Sequence, residues 1–237
     1  MLRRDAKPPR PTGASRGQTA FYAFSRLACR FVQVQCVRVD AIGLENLPKS
    51  GGYQLAVTHL GHLEPVVVGL LVRRYVRWMS RIEFYRHAVP RWLLNGVGAF
   101  RVHRQGVPVS AIRTAIDEVD RGGVVGLFPE GGRVVGEEAV IRGGRIKRGV
   151  CLIAQRTRRP VVPVVVLGAE KLNRAGTYLP FRRGHVWASF GEPVDPPPAT
   201  GDRRADRQRL AAQLELAYRR QYAELLRHFG LSDAQFP

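Results

Sequence analysis

Two histidines and a carboxylate lie close together in the stretch Thr58-His59-Leu60-Gly61-His62-Leu63-Glu64. A short apolar segment, 53–58, leads into His59, and Glu64 follows where a helical pattern begins. A carboxylate so placed can keep one imidazole nitrogen protonated, which frees the other to take a proton from a nucleophile. The free N–H groups at a helix N-terminus add a place for an anion. A satisfied loop histidine is the plainer reading of the same residues. His59, His62 and Glu64 also suit a metal, but no further ligands follow at a recognisable spacing, so no metal is expected.

Three other constellations accompany this one. Phe100-Arg101-Val102-His103-Arg104 puts cations at the end of a strand-like stretch, or forms a solvated basic loop. In Phe128-Pro129-Glu130-Gly131-Gly132-Arg133 an apolar strand breaks at proline into two glycines. Glycine lets backbone approach a ligand closely, and the guanidinium that follows is suited to bidentate phosphate recognition. A simple turn is the alternative. The apolar stretch 161–168 carries Pro163 inside what reads as a buried strand, where proline has no N–H to give the ladder.

The elements that must position these residues are legible in outline. Apolar side chains recur at helical spacing in 19–37 (Ala20, Phe24, Leu27, Phe31, Val34), with Arg26, Arg30 and Gln33 sharing another face. Such a helix lies in a membrane interface with its arginines at the phosphates, or docks on the core. Helical patterns follow at 65–75, 82–96 (interrupted by Pro90), 109–121, 148–157 and 202–229. Strand patterns fall at 37–47, 53–58, 76–80, 98–103, 124–128 and 161–167, and 185–190 alternates as an edge strand does. Strands alternating with helices predict an α/β fold with a central mixed sheet flanked by helices, an N-terminal amphipathic helical element and a C-terminal helix. The expected organisation is a disordered basic arm at 1–17, a membrane-associating helical element at 18–38, a catalytic domain at 39–195, and a Pro-rich linker with the C-terminal helix at 196–237.

In this order and spacing the four constellations resemble the lysophospholipid acyltransferase family, which includes the 1-acylglycerol-3-phosphate acyltransferases. The family's first motif, a His, four residues and an Asp, falls on His59 and Glu64. Its second ends a strand with Arg104, its third, Phe-Pro-Glu-Gly-Thr-Arg, falls on 128–133, and its Val-Pro strand falls on Val162-Pro163. The resemblance implies transfer of a fatty acyl group from acyl-CoA or acyl-carrier protein to a hydroxyl of a lysophospholipid, most simply 1-acyl-sn-glycerol 3-phosphate. It implies His59 as general base, Glu64 as its support, and direct attack on the thioester with no metal or other cofactor. Arg104, Glu130, Gly131 and Arg133 then line the acceptor's glycerol-phosphate site, with Lys147 as a further candidate. Three positions depart from the pattern: Glu64 for Asp, Thr58 for Asn, and Gly132 for Thr. They leave room for another lysolipid or glycolipid acceptor, or for a non-catalytic lipid-binding relative.

Composition limits the remaining classes. The 237 residues are 45% hydrophobic, enough to bury a core. The apolar run at 66–72 is far shorter than the roughly twenty residues of a membrane-spanning helix, and no secretory signal is expected. Cys29, Cys36 and Cys151 form no disulfide pattern and fit a reducing compartment. A net charge of +19, nearly all of it arginine, draws the surface to polyanions. No helix-turn-helix, zinc-finger or aromatic RNA-binding signature directs that charge to nucleic acid. Anionic membrane lipids are the expected partner, with the protein peripheral on the cytoplasmic face of the cell membrane.

Overall fold

The structure, a computed structural model, describes residues 15–102, 109–173 and 184–236. Seven strands form one sheet: β1 (Val37–Ile42), β2 (Tyr53–Val57), β3 (Val76–Arg81), β4 (Phe100–Val102), β5 (Val124–Leu127), β6 (Val161–Leu167) and β7 (Gly184–Phe190). Their order is β1-β7-β6-β2-β5-β3-β4, parallel throughout except for the antiparallel β6–β7 pair. Every residue of β2, β5 and β6 is buried, and all but Gln54 are non-polar, as strands covered on both faces of a sheet require.

The helices are α1 (Arg16–Cys36), α2 (Glu64–Leu71), α3 (Ala88–Gly96), α4 (Val109–Asp120), α5 (Arg148–Thr157) and α6 (Arg203–Phe229). One core packs α4, α5 and α6 on one face through residues such as Ala115, Ile153 and Leu214. The other packs α2 and the end of α1 on the opposite face through Val67, Val68 and Cys36.

Four details differ from the sequence reading. First, β7 is no edge strand: β1 pairs with it on one side and β6 on the other, so β1 is the edge. Second, Ser15 and Gln18 form a capping box, so 15–17 cap and open α1 instead of extending the basic arm; residues 1–14 lie outside the described ones. Third, Arg26 does not share an outward face with Arg30. Its guanidinium donates to the carbonyls of Gly69, Leu70 and Val72, the unsatisfied C-terminal end of α2, and so ties α1 to the helix that carries Glu64. Fourth, Pro90 divides 82–96: a 3-10 turn at Ile82–Arg86 precedes α3, and Pro90 sits in that helix's first turn, where a missing N–H costs nothing.

Pro163 is accommodated by a break in pairing. Val164 faces Phe190 but Val161 faces Val194, so one extra residue of the β7 side is looped out beside the proline. Gln221 of α6 donates to the carbonyls of Pro163 and Ser189 at that point, and Tyr218 of α6 donates to Ala56. The C-terminal helix is thereby pinned beneath β2, the strand that delivers His59.

Candidate active site

Ligand sites in parallel sheets gather at the carboxyl ends of the strands. Here Ala56 of β2 pairs with Leu127 of β5, which sets the exits of the two strands level and brings His59 beside Phe128. Thr58 fixes the exit from β2. Its N–H donates to Val164 and its hydroxyl accepts from Val166, both at 3.0 Å. In the place of the family's Asn, this threonine is spent on holding the chain to β6.

His59 Nδ1 lies 3.5 Å from Glu64 Oε2, the imidazole being largely buried and the carboxylate wholly so. That separation exceeds a normal hydrogen bond, and such pairs commonly tighten when substrate binds. The other oxygen of Glu64 accepts from the N–H of Gly61. One carboxylate therefore shapes the loop between the two histidines and also faces the ring. With Nδ1–H toward Glu64, Nε2 carries the free lone pair. The imidazole stacks on Phe128 with ring centroids 3.9 Å apart and planes 20° from parallel.

Both carboxylate oxygens of Glu130 are turned to the backbone. It is buried, its Oε1 accepts from Val140 N at 2.8 Å, and its Oε2 faces His59 N at 3.4 Å. Burial raises its carboxyl above the usual range, while the two backbone donors and the imidazole oppose that rise. It braces the backbone of His59 and lies outside the cavity lining. Gly131 adopts φ 73°, a left-handed turn that a side chain would strain. Beside it, the N–H of Lys147 donates to Pro129 at 2.7 Å, which lays the lysine's stem against Gly131. Arg104, within the second motif, lies outside the described residues.

These groups border a cavity of about 1040 Å³, at the upper end of the roughly 300–1,000 Å³ usual for ligand pockets. His59, His62, Gly131, Gly132, Arg133 and Lys147 supply its polar rim. Most of the remaining lining is hydrocarbon, with Ser25, Arg26, Ser80, Arg81, Arg148 and Arg207 the polar exceptions. Tyr22, Cys29, Val66, Leu70 and Leu94 line the part under α1, α2 and α3, while Ile112, Leu127, Val150 and Ile153 line the part against α4 and α5. A base at the junction of apolar space and a cationic rim suits substrates that are half hydrocarbon and half anion.

A family model described as Acyltransferase matches residues 38–167, a span that includes every residue just named except those of α1. The chain belongs to the acyltransferase family. This acyltransferase is 30% identical over 178 residues to the 1-acyl-sn-glycerol-3-phosphate acyltransferase of Bacillus subtilis (strain 168), across 75% of this chain and 83% of that protein. It is 26% identical over 159 residues to the chloroplastic 1-acyl-sn-glycerol-3-phosphate acyltransferase BAT2 of Brassica napus, of which it covers 45%. The crystal structure of the 1-acyl-sn-glycerophosphate (LPA) acyltransferase PlsC from Thermotoga maritima superposes with a TM-score of 0.65 over 88% of this chain and 79% of that chain, at 23% identity. That likeness establishes the fold, an α/β sheet flanked by helices.

Two features of this acyltransferase's site escaped the linear reading. The stacking of His59 on Phe128 depends on cross-strand register, and no spacing in the sequence reports it. The contribution of Tyr22 and Cys29 to the cavity depends on how α1 docks, which Arg26 fixes through contacts distant in sequence.

Proposed function

We propose that this acyltransferase moves a fatty acyl group from acyl-CoA or acyl-carrier protein to the free hydroxyl of 1-acyl-sn-glycerol 3-phosphate, a step of phospholipid synthesis. The observation that carries the reading is His59, backed by Glu64 and set where the apolar cavity meets the rim formed by Arg133 and Lys147. In this scheme His59 Nε2 takes the proton of the acceptor hydroxyl as its oxygen attacks the thioester carbonyl. Collapse of the tetrahedral intermediate breaks the carbon–sulfur bond, and the imidazolium returns its proton to the departing thiolate. The ester and the free thiol leave, with His59 neutral again. Glu64 steadies the imidazolium between the two transfers. Arg133 and Lys147 hold the acceptor phosphate as charge-assisted donors, so the hydroxyl is presented in register with the base. The scheme needs the thioester as co-substrate and no other cofactor.

Thiol release from a long-chain acyl-CoA, with and without 1-acyl-glycerol 3-phosphate, tests the reading. We expect release to depend on that acceptor and to be weak with a zwitterionic lysophospholipid, which the cationic rim holds poorly. Acceptor-independent release would mean thioester hydrolysis instead of transfer; no release from folded protein with either donor and with other lysolipid or glycolipid acceptors would leave only a lipid-binding role.

The same proposal seats the protein on a membrane. No helix among the described residues is long and apolar enough to cross one. Yet Phe24, Leu27, Phe31 and Val34 form a stripe along α1 that is 63–69% exposed, and Trp92 of α3 is exposed as well. The adjoining face of α1 lines the cavity through Tyr22, Ser25 and Cys29. A stripe lying in the lipid interface therefore opens the cavity directly to its hydrocarbon substrates, on the cytoplasmic side where acyl donors are found. Vesicles containing phosphatidylglycerol should bind the wild type even in high salt, because apolar insertion survives screening. Phe24→Glu with Phe31→Glu should weaken that binding at least tenfold, as each phenylalanine buried in lipid contributes about 1.5–3 kcal/mol. Salt-resistant binding by the double variant would remove the stripe from the account.

A further inference from the structure

We infer that Phe128 is a positioning residue that fixes the plane of the His59 ring, and that Trp78 and Gly126 exist in this site to hold Phe128 in place. The inference rests on His59 being the base. Its starting point is the weakness of the other restraint: at 3.5 Å, the Glu64 carboxylate sits beyond normal hydrogen-bond distance from Nδ1. Even a short hydrogen bond would direct one nitrogen while leaving the ring free to rock about that axis. A face-to-face contact restrains the plane itself. Phe128 makes that contact, at 3.9 Å and 20°.

Phe128 is in turn held from behind. Trp78 of β3 is the register partner of Gly126 of β5. A Cβ on Gly126 would come within 2.6 Å of the indole, so only glycine lets the indole lie flat across β5. Side chains two apart share one face of a strand, so the indole crossing Gly126 meets Phe128. Their rings stack with centroids 5.7 Å apart and planes 27° from parallel. Trp78 is itself buried, which anchors the far end of the stack. The order Gly126, Trp78, Phe128, His59 thus runs from the sheet interior to the reacting nitrogen. The aromatic face has an electrostatic effect too. It favours a cation lying over it, and the imidazole becomes one during the transfer.

Steady-state kinetics of the full chain, with long-chain acyl-CoA and 1-acyl-glycerol 3-phosphate, tests this. Phe128→Leu keeps an apolar side chain of similar reach and removes the aromatic face. It should lower kcat about tenfold or more while both KM values stay within about twofold. Phe128→Tyr restores the ring and should keep at least half the wild-type kcat. Gly126→Ala acts on His59 through Trp78 and Phe128, which also line the cavity, and should lower kcat by a larger factor than it raises KM. A full kcat in Phe128→Leu, a loss confined to KM, or a Tyr variant as poor as the Leu variant would each overturn the assignment. Full turnover by His59→Ala would fail differently, removing the base reading beneath it whatever Phe128 does.

Discussion

His59→Ala is expected to lower acceptor-dependent kcat by roughly 10²–10⁴-fold, the range attributed to a positioned general base. Alanine removes the imidazole placed against Glu64 and leaves the cavity, its cationic rim and the membrane stripe intact. Binding of 1-acyl-glycerol 3-phosphate should therefore change little, and KM should stay within a few-fold. His62 is the one group nearby that offers a competing outcome. Its ring lies edge-on to His59 at 6.3 Å, on the exposed rim of the same cavity. Among the described residues no carboxylate pairs with it as Glu64 does with His59, so His62→Ala should retain most of the rate. The reverse result, activity lost with His62 and kept with His59, would move the base to the rim. Measuring thiol release and lipid binding on the same preparations separates loss of chemistry from loss of substrate.

The parts of this molecule that were legible in sequence are those set by burial alone. The runs that became β2, β5 and β6 are, Gln54 apart, non-polar on both faces, as covered strands are. β7 misled because Gly184–Phe190 begins half-exposed and ends buried, so its alternation imitates a border. The true border, β1, pairs in parallel with β7 and becomes an edge only through a pairing far apart in sequence. Arg26 misled for a related reason. On a helical wheel it belongs with Arg30, yet the carbonyls at the end of α2 claim it.

The candidate site divides in the same way. His59 and Glu64 stand close enough in sequence for their pairing to be read directly, and Gly131 and Arg133 follow from one turn. Lys147 reaches Gly131 because its N–H bonds Pro129 across a loop. Glu130 was expected at the acceptor site from its place in the family's third motif. Only the fold shows both its oxygens turned to the backbone, at Val140 and His59. Its burial makes the carboxyl harder to ionise, against the pull of the two backbone donors.

Glu64→Gln carries the sharpest expectation, because it changes chemistry and leaves shape alone. The amide oxygen can still accept from Gly61, so the loop between the histidines is kept. The amide nitrogen then faces Nδ1 and donates to it, which obliges Nδ1 to accept and puts the ring proton on Nε2. The base is thereby blocked in the wrong tautomer, and kcat should fall about 10³–10⁴-fold, as in hydrolase triads given the same change. Folding should not suffer. Glu64 is completely buried, and a neutral amide there avoids the desolvation of a charge, so the melting temperature should hold or rise. Glu64→Asp makes the complementary change. It keeps the charge but withdraws the carboxylate by about 1.5 Å from a ring already 3.5 Å away. With the backbone of α2 clamped by Arg26, the shorter side chain cannot serve both Gly61 and His59, and kcat should drop about tenfold. An aspartate variant faster than wild type would mean that the loop follows the carboxylate inward and that the longer side chain is a handicap in this protein. A glutamine variant with wild-type turnover would mean that Glu64 only shapes the loop, leaving the aromatic stack as the sole support of the imidazole.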